Sequence, residues 1–65
     1  MNERYKNIKI LLDIFGKSGK PLSFYELQYE TEIDPFALMT ALGTLLTEHK
    51  VTSFVSDGKQ YFQQQ

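Results

Sequence analysis

Apolar side chains recur along the first quarter of the chain at the spacing of one helix face. Positions i, i+3, i+4 and i+7 are occupied by Ile8, Leu11, Leu12 and Phe15. Tyr5 extends this stripe backward by one turn, and Asn2 is a candidate N-cap. Gly16 opens a connector rich in glycine and lysine. The pattern therefore predicts a first helix over residues 3–15.

A capping box predicts where the second helix begins. Ser23 and Glu26 have the spacing at which each side chain can bond the backbone amide of the other. Leu22 and Leu27 flank this pair at the positions of a hydrophobic staple. We expect a short helix over residues 24–31.

A proline next to an acidic residue marks the start of the third helix. Asp34 is a suitable N-cap, and Pro35 has the fixed φ that the first helical turn requires. The apolar residues that follow at helical spacing are Leu38, Leu42, Leu45 and Leu46. We expect a helix over residues 35–49, with His49 in its last turn at the edge of the core or as a cap.

The pattern changes from helical to extended after residue 50. Residues 51–55 are mostly β-branched or aromatic, and a second short run of this kind covers residues 60–63. Asp57 and Gly58 lie between them, and a glycine here favours a tight hairpin turn. The sequence predicts a hairpin over about 51–63, a frayed glutamine tail, and a single α+β domain, mostly α, over residues 1–65.

Composition narrows the possible functions. The 65 residues include no cysteine, so neither a disulfide nor a thiolate metal site can stabilise the domain. A chain of this size buries only about 60% of its unfolded surface, which makes association with a partner attractive. Its one histidine has no cysteine beside it, and we expect no enzyme, no small-molecule substrate and no cofactor.

Further features of the sequence argue against membrane insertion, secretion, nucleotide binding and calcium binding. The longest aliphatic run is residues 10–12, and no apolar stretch of the kind found in signal peptides occurs near residue 1, so we expect a cytoplasmic protein without a membrane segment. The segment 16–20 resembles a phosphate-binding loop, but Leu11 stands where that motif requires a glycine. Glu30, Glu32 and Asp34 lack the spacing of a calcium loop, and we expect no metal site.

Charge is unevenly distributed although the net charge is only −1. Residues 1–20 carry five basic and two acidic side chains. Residues 21–48 carry five acidic side chains and neither lysine nor arginine. The two lysines that follow are Lys50, just before the predicted hairpin, and Lys59 within it. The middle of the chain is therefore wholly acidic.

The order of elements and the core positions resemble those of winged helix-turn-helix domains. The residues that carry this resemblance are Pro21, Leu22, Ser23, Glu26, Leu27, Ile33, Asp34, Ala41, Leu42, Leu45 and Val51. In that family an apolar residue fills the turn between the second and third helices, and the hairpin forms a wing. The resemblance implies a three-helix winged fold and a DNA-binding, transcription-regulatory function.

The same resemblance implies which residues would contact double-stranded DNA. The third helix would direct Pro35, Phe36, Met39, Thr40 and Gly43 toward the major groove, with Lys50, Lys59, Ser23 and Tyr25 near the phosphates. Only Thr40 among the groove-facing residues can form a side-chain hydrogen bond to a base. Phe36 and Met39 are apolar residues on an expected solvent face, unless they turn inward beneath Tyr25 or Tyr29.

The alternative function is a protein-interaction module on the same fold. Phe36, Met39 and Gly43 would form an apolar patch. The rim of this patch would be Glu30, Glu32 and Asp34. A homodimer seam on the first helix could be formed by Tyr5, Ile8 and Ile10.

Overall fold

The computed structural model describes residues 3–65 and, from Tyr5 onward, their side chains; the predicted cap Asn2 lies outside this range. The helices are α1 (Glu3–Ser18), α2 (Phe24–Thr31) and α3 (Pro35–Thr47). The strands are β1 (Leu22–Ser23), β2 (Val51–Ser56) and β3 (Lys59–Gln64). The predicted α+β fold class, mostly α with three helices and a C-terminal hairpin, is confirmed.

Helix α1 is longer than predicted, since it continues through Gly16 to Ser18. A glycine within a helix costs about 1 kcal/mol relative to alanine, which is too little to end a helix held by packing. The helix ends at Ser18 instead, and Gly19 follows with a φ of +68°. The Ser18 hydroxyl accepts a hydrogen bond from the Lys20 amide at 3.2 Å, which orders the connector.

The predicted N-caps of α2 and α3 are present. The Ser23 amide donates to Oε1 of Glu26 at 2.9 Å, and the Glu26 amide donates to the Ser23 hydroxyl at 3.1 Å. Oδ2 of Asp34 accepts hydrogen bonds from the amides of Phe36 and Ala37 at 3.1 and 3.2 Å. These two caps set the start of α2 and of α3, and therefore which face of each helix points inward.

Helix α3 ends earlier than predicted, and His49 lies beyond it. His49 is exposed and has a φ of +61°. Its amide donates to the Leu46 carbonyl at 3.1 Å, and the Lys50 amide donates to the Leu45 carbonyl at 2.9 Å. This is a Schellman motif with histidine at the left-handed position that usually holds glycine. The expectation that His49 belongs to the last helical turn is wrong.

The sheet contains one strand more than the predicted hairpin. Its order is β1-β3-β2, with all neighbours antiparallel. Asp57 and Gly58 have φ values of +53° and +77°, which correspond to a type I′ turn between β2 and β3. Strand β3 continues to Gln64, so two of the three glutamines expected to fray are paired instead.

The core lies between the helices and the inner face of the sheet. Its buried residues are Leu11, Phe15, Leu22, Leu27, Ile33, Leu38, Ala41, Leu42, Leu45, Val51 and Phe62. Ile33 fills the turn between α2 and α3, as the winged-helix pattern predicted. No helix within the described residues is long and apolar enough to span a bilayer.

Candidate functional site

The outward side of α3 exposes two large apolar side chains. Phe36 is 83% exposed and Met39 is 63% exposed. The helical period directs them outward because the opposite side of α3 is fixed in the core by Leu38, Ala41, Leu42 and Leu45. The alternative in which Phe36 and Met39 turn inward beneath a tyrosine is therefore wrong. We call the exposed stripe of Phe36, Met39, Thr40 and Gly43 the α3 face.

The hydroxyl of Thr40 is already engaged by the helix. It donates to the Phe36 carbonyl at 3.0 Å, and the Thr44 hydroxyl donates in the same way to the Thr40 carbonyl at 3.3 Å. Gly43 lies in a shallow depression of about 370 Å³ that Thr40 and Thr44 also line. The α3 face therefore offers shape and apolar area more than hydrogen-bond donors.

Acidic side chains lie at the N-terminal end of the α3 face. Glu30 is near the end of α2, Glu32 follows that helix in the left-handed conformation, and Asp34 caps α3. All three are exposed. Since residues 21–48 contain no lysine or arginine, this part of the surface is negative.

The predicted phosphate-contacting lysines are at opposite ends of the wing. Lys50 immediately precedes β2, whereas Lys59 pairs with Ser56 beside the turn. A six-residue strand separates them, which corresponds to roughly 20 Å. Both lysines are exposed, but they do not form one cluster.

The start of α2 borders a groove that the sequence did not predict. Ser23 is half-buried and committed to its cap, while Tyr25 is 79% exposed. Tyr25, Tyr29, Lys17 and Lys20 line a groove of about 640 Å³ between α2 and the end of α1. The available signal was the spacing of the two tyrosines, four residues apart on a surface helix.

The capping box also favours the ionised form of Glu26. Its pKa is lowered chiefly by the hydrogen bond from the Ser23 amide and further by the nearby Lys20. A lowered pKa means that folding stabilises the carboxylate. We therefore expect ionised Glu26 to stabilise the fold at pH values above the ordinary pKa of glutamic acid. This stabilisation should be lost as the pH falls through the lowered pKa of Glu26.

The residues predicted to form a dimer seam on α1 have different environments. Ile8 and Ile10 are half-buried and pack against the core. Tyr5 is 59% exposed, and the Lys9 ammonium lies 5.8 Å from the centre of its ring. Only Tyr5 of the three is therefore largely available to a partner.

His49 lies outside any metal-binding arrangement within the described part of the chain. No group of three or more His, Asp or Glu side chains suited to a metal ion occurs there. Glu30 lies in the last turn of α2, Glu32 caps the end of that helix, and Asp34 is the N-cap of α3.

Comparison with known proteins supports the fold. No protein-family model and no curated protein sequence matches the chain. A solved structure from a study of the DNA recognition and protein interaction domains of HOP2, concerned with its homologous DNA pairing properties, superposes with a TM-score of 0.76. It shares 19% sequence identity over 91% of this chain and 98% of that chain. The three helices and hairpin of this chain thus form a winged-helix fold.

Proposed function

We propose that this winged-helix domain is a protein-interaction module that docks its partner on the α3 face. The exposure of Phe36 and Met39 carries the proposal. Both lie on a helix stripe that contains no charged side chain, so they form a contiguous apolar area instead of isolated surface residues. Large aromatic and methionine side chains of this kind are typical anchors at protein interfaces.

The chemistry of the α3 face favours an amphipathic helix with basic flanks as the partner. Phe36, Met39, Thr40 and Gly43 cover two helical turns, which matches apolar anchors at i, i+3 or i+4, and i+7 on a second helix. Gly43 leaves room for a close approach, since nothing lies within 4 Å of the position its Cβ would occupy. Glu30 and Glu32 would attract lysine or arginine on the partner.

The test is an NMR titration of the labelled chain with a designed helical peptide that carries leucine anchors and lysine flanks. We expect shifts on the α3 face and at least tenfold weaker binding of a matched peptide with glutamate flanks. Replacing both Phe36 and Met39 by alanine should weaken binding about tenfold or more, which corresponds to about 1.4 kcal/mol.

Tyr25→Ala is the matched control for these substitutions. Tyr25 is as exposed as Phe36 but lies on α2, outside the α3 face, so its loss should leave peptide binding unchanged. Shifts centred on another surface, or equal affinity for the lysine-flanked and glutamate-flanked peptides, would contradict the proposal.

The second candidate is a DNA-binding transcription regulator. The observation that favours it is the exposure of Lys50 and Lys59 on the wing. The likeness to the HOP2 structure is compatible with it, since that study concerns DNA recognition as well as protein interaction. The groove-facing set would be Pro35, Phe36, Met39, Thr40 and Gly43, with Ser23 and Tyr25 near the phosphates. The absence of basic residues from 21–48 opposes it, because phosphate contacts dominate affinity for DNA.

Random duplex DNA distinguishes the two candidates. A DNA-binding domain should show shifts confined to α3 and the wing at low salt, and these shifts should vanish as salt is raised. Lys59→Ala should weaken such binding, whereas Phe36→Ala should spare most of it. Neither candidate function requires catalysis, and a homodimer is compatible with either.

A further inference from the structure

The groove between α1 and α2, which we call the α1–α2 groove, has a mostly apolar exposed lining. It includes half-buried Ile14 and buried Leu22. The rings of Tyr25 and Tyr29, one helical turn apart on α2, border it and are 79% and 77% exposed. Its volume of about 640 Å³ is in the range of pockets that bind drug-sized ligands. The groove can therefore receive large side chains from another molecule.

The end of the α1–α2 groove at the start of α2 is basic. Lys20 lies there, close to Glu26, whose carboxylate already accepts the hydrogen bond from the Ser23 amide. Exposed Lys17 also lines the groove, and its ammonium lies 3.1 Å from the Asp13 carboxylate. Among the described residues no carboxylate lies within ion-pair distance of Lys20. Lys20 is therefore available to an acidic side chain of a docked molecule.

The other end of the α1–α2 groove is acidic. Glu30 lines it there, in the last turn of α2, about 6 Å along the helix from Glu26. Opposite charges at the two ends give the groove a direction. A helix that docks in it is favoured when its acidic end lies beside Lys20 and its uncharged end beside Glu30.

The α3 face has the matching direction. Its large anchors Phe36 and Met39 are exposed, and its four residues have the i, i+3, i+4, i+7 spacing of helices that bind in apolar grooves. Glu32 and Asp34 lie at its N-terminal end, whereas Gly43 at its other end is uncharged. The α3 face therefore complements the α1–α2 groove in apolar character and in charge.

We propose that the α3 face of one copy of the chain docks in the α1–α2 groove of a second copy, with α3 parallel to α2. Phe36 and Met39 then pack against the tyrosine rings of the second copy. Glu32 lies beside Lys20 of the second copy. The inference rests on the function proposed for the α3 face and identifies its partner as the chain itself.

Each copy can donate its α3 face and receive another at the same time, because the α3 face and the groove have no residue in common. Such a head-to-tail contact either closes into a ring or extends as a row of copies. Two helical turns in a groove bury less than the roughly 1,200 Å² typical of stable interfaces, so the association should be weak. In dilute solution the α3 face therefore stays open to other partners.

Sedimentation equilibrium of the full chain from micromolar to millimolar concentration tests the docking. We expect the mass to rise above that of one chain. Replacing both Phe36 and Met39 by alanine removes the anchors, and replacing both Tyr25 and Tyr29 by alanine removes the rings of the groove. Each double variant alone should remain monomeric. An equimolar mixture of the two should form a complex of two chains and no larger, because each variant keeps the surface that the other lacks.

Charge reversal tests the direction of docking. Lys20→Glu should weaken self-association about fivefold, since it replaces attraction to Glu32 by repulsion. Adding Glu32→Lys to the same chain should restore most of the affinity, whereas damage to the start of α2 would not be rescued in this way. Lys9→Glu, on the exposed side of α1 and outside the groove, is the matched control and should leave self-association unchanged.

Three outcomes would overturn the docking: a mass of one chain at every concentration, self-association of the tyrosine double variant alone, or a mixture of the two double variants that stays at one chain. The lysine-flanked peptide, titrated into the tyrosine double variant, separates this inference from the proposed function. Peptide binding on the α3 face without a complex in the mixture overturns the docking alone. Absence of both overturns the docking and the proposed function together.

Discussion

Helices α1 and α3 pack against each other through similar apolar sides, but their outward sides differ. The exposed side of α1 carries Lys6, Lys9, Asp13 and Lys17, with an ion pair of 3.1 Å between Asp13 and Lys17. The exposed side of α3 carries no charged residue. Charged solvent faces are the ordinary outcome for a surface helix. The apolar α3 face is therefore unnecessary for folding, and this points to binding.

The largest expected effect on stability comes from the buried sides of α1 and α3. The two sides should contribute about equally to the free energy of unfolding. Leu11 on α1 and Leu38 on α3 are both fully buried. Replacing either by alanine should lower the free energy of unfolding by about 2–5 kcal/mol in urea denaturation. A variant already unfolded without urea meets the same expectation. A loss below about 1 kcal/mol for one of them would show that the two inner sides are not alike.

Loss of the N-cap of α3 should have the next largest effect on the free energy of unfolding. Asp34 accepts two backbone hydrogen bonds, so Asp34→Ala should cost about 0.5–2 kcal/mol in the same measurement. Asp34→Ser keeps an acceptor and should recover most of this loss. Equal losses for the alanine and serine variants would indicate that the carboxylate acts through charge and not through the cap.

The C-terminal ends of α1 and α3 differ as well. Gly19, with a positive φ, comes directly after α1, whereas after α3 the residue with a positive φ is His49, which follows the C-cap Glu48. His49→Gly should raise the melting temperature, with a gain of about 0.5–1 kcal/mol from relief of strain. Glu48→Gly is the control, because Glu48 has a φ of −86° and glycine would relieve nothing there. If His49→Gly and Glu48→Gly changed the melting temperature equally, backbone strain at His49 would not be the cause.

The smallest effect on stability should come from the α3 face itself. Phe36→Ala and Met39→Ala should each change the free energy of unfolding by no more than about 0.5 kcal/mol, as for Lys9→Ala on α1. Thermal and urea unfolding measure this. A loss above about 1.5 kcal/mol for Phe36→Ala would mean that its ring supports the fold, and the contrast between the two helices would disappear.

Local chemistry made most of the fold predictable. The pair Ser23 and Glu26, the cap Asp34 and the turn at Asp57 and Gly58 depend on neighbours only a few residues away, and all form as expected. Strand β1 was missed because two residues carry no periodicity. It exists through the pairing of Leu22 with Phe62, which are far apart in the sequence. Gly16 was misleading because packing of α1 outweighs its low helix propensity.

The candidate site was less predictable than the fold. Helical periodicity placed Phe36 and Met39 on one stripe, but their exposure depends on how α2 crosses α3, which is a tertiary property. The groove beside Tyr25 and Tyr29 was missed for the same reason, since its other wall belongs to α1. The position of β2 at an edge of the sheet follows from the strand order, which hairpin signals alone do not reveal.

Side chains along β2 and β3 face inward and outward in turn. This alternation limits how the length of the wing can change. Val51 and Phe62 must face inward, so a single residue inserted between them in one strand would reverse the facing of its neighbours or force a bulge. Two residues added to each strand beyond Val55 and Gln60 preserve both inward positions and keep a hydrogen-bonded pair next to the tight turn. Homologous wings with this turn should therefore vary in steps of four residues, and the tip at Asp57 and Gly58 is the natural place to graft a foreign loop or epitope.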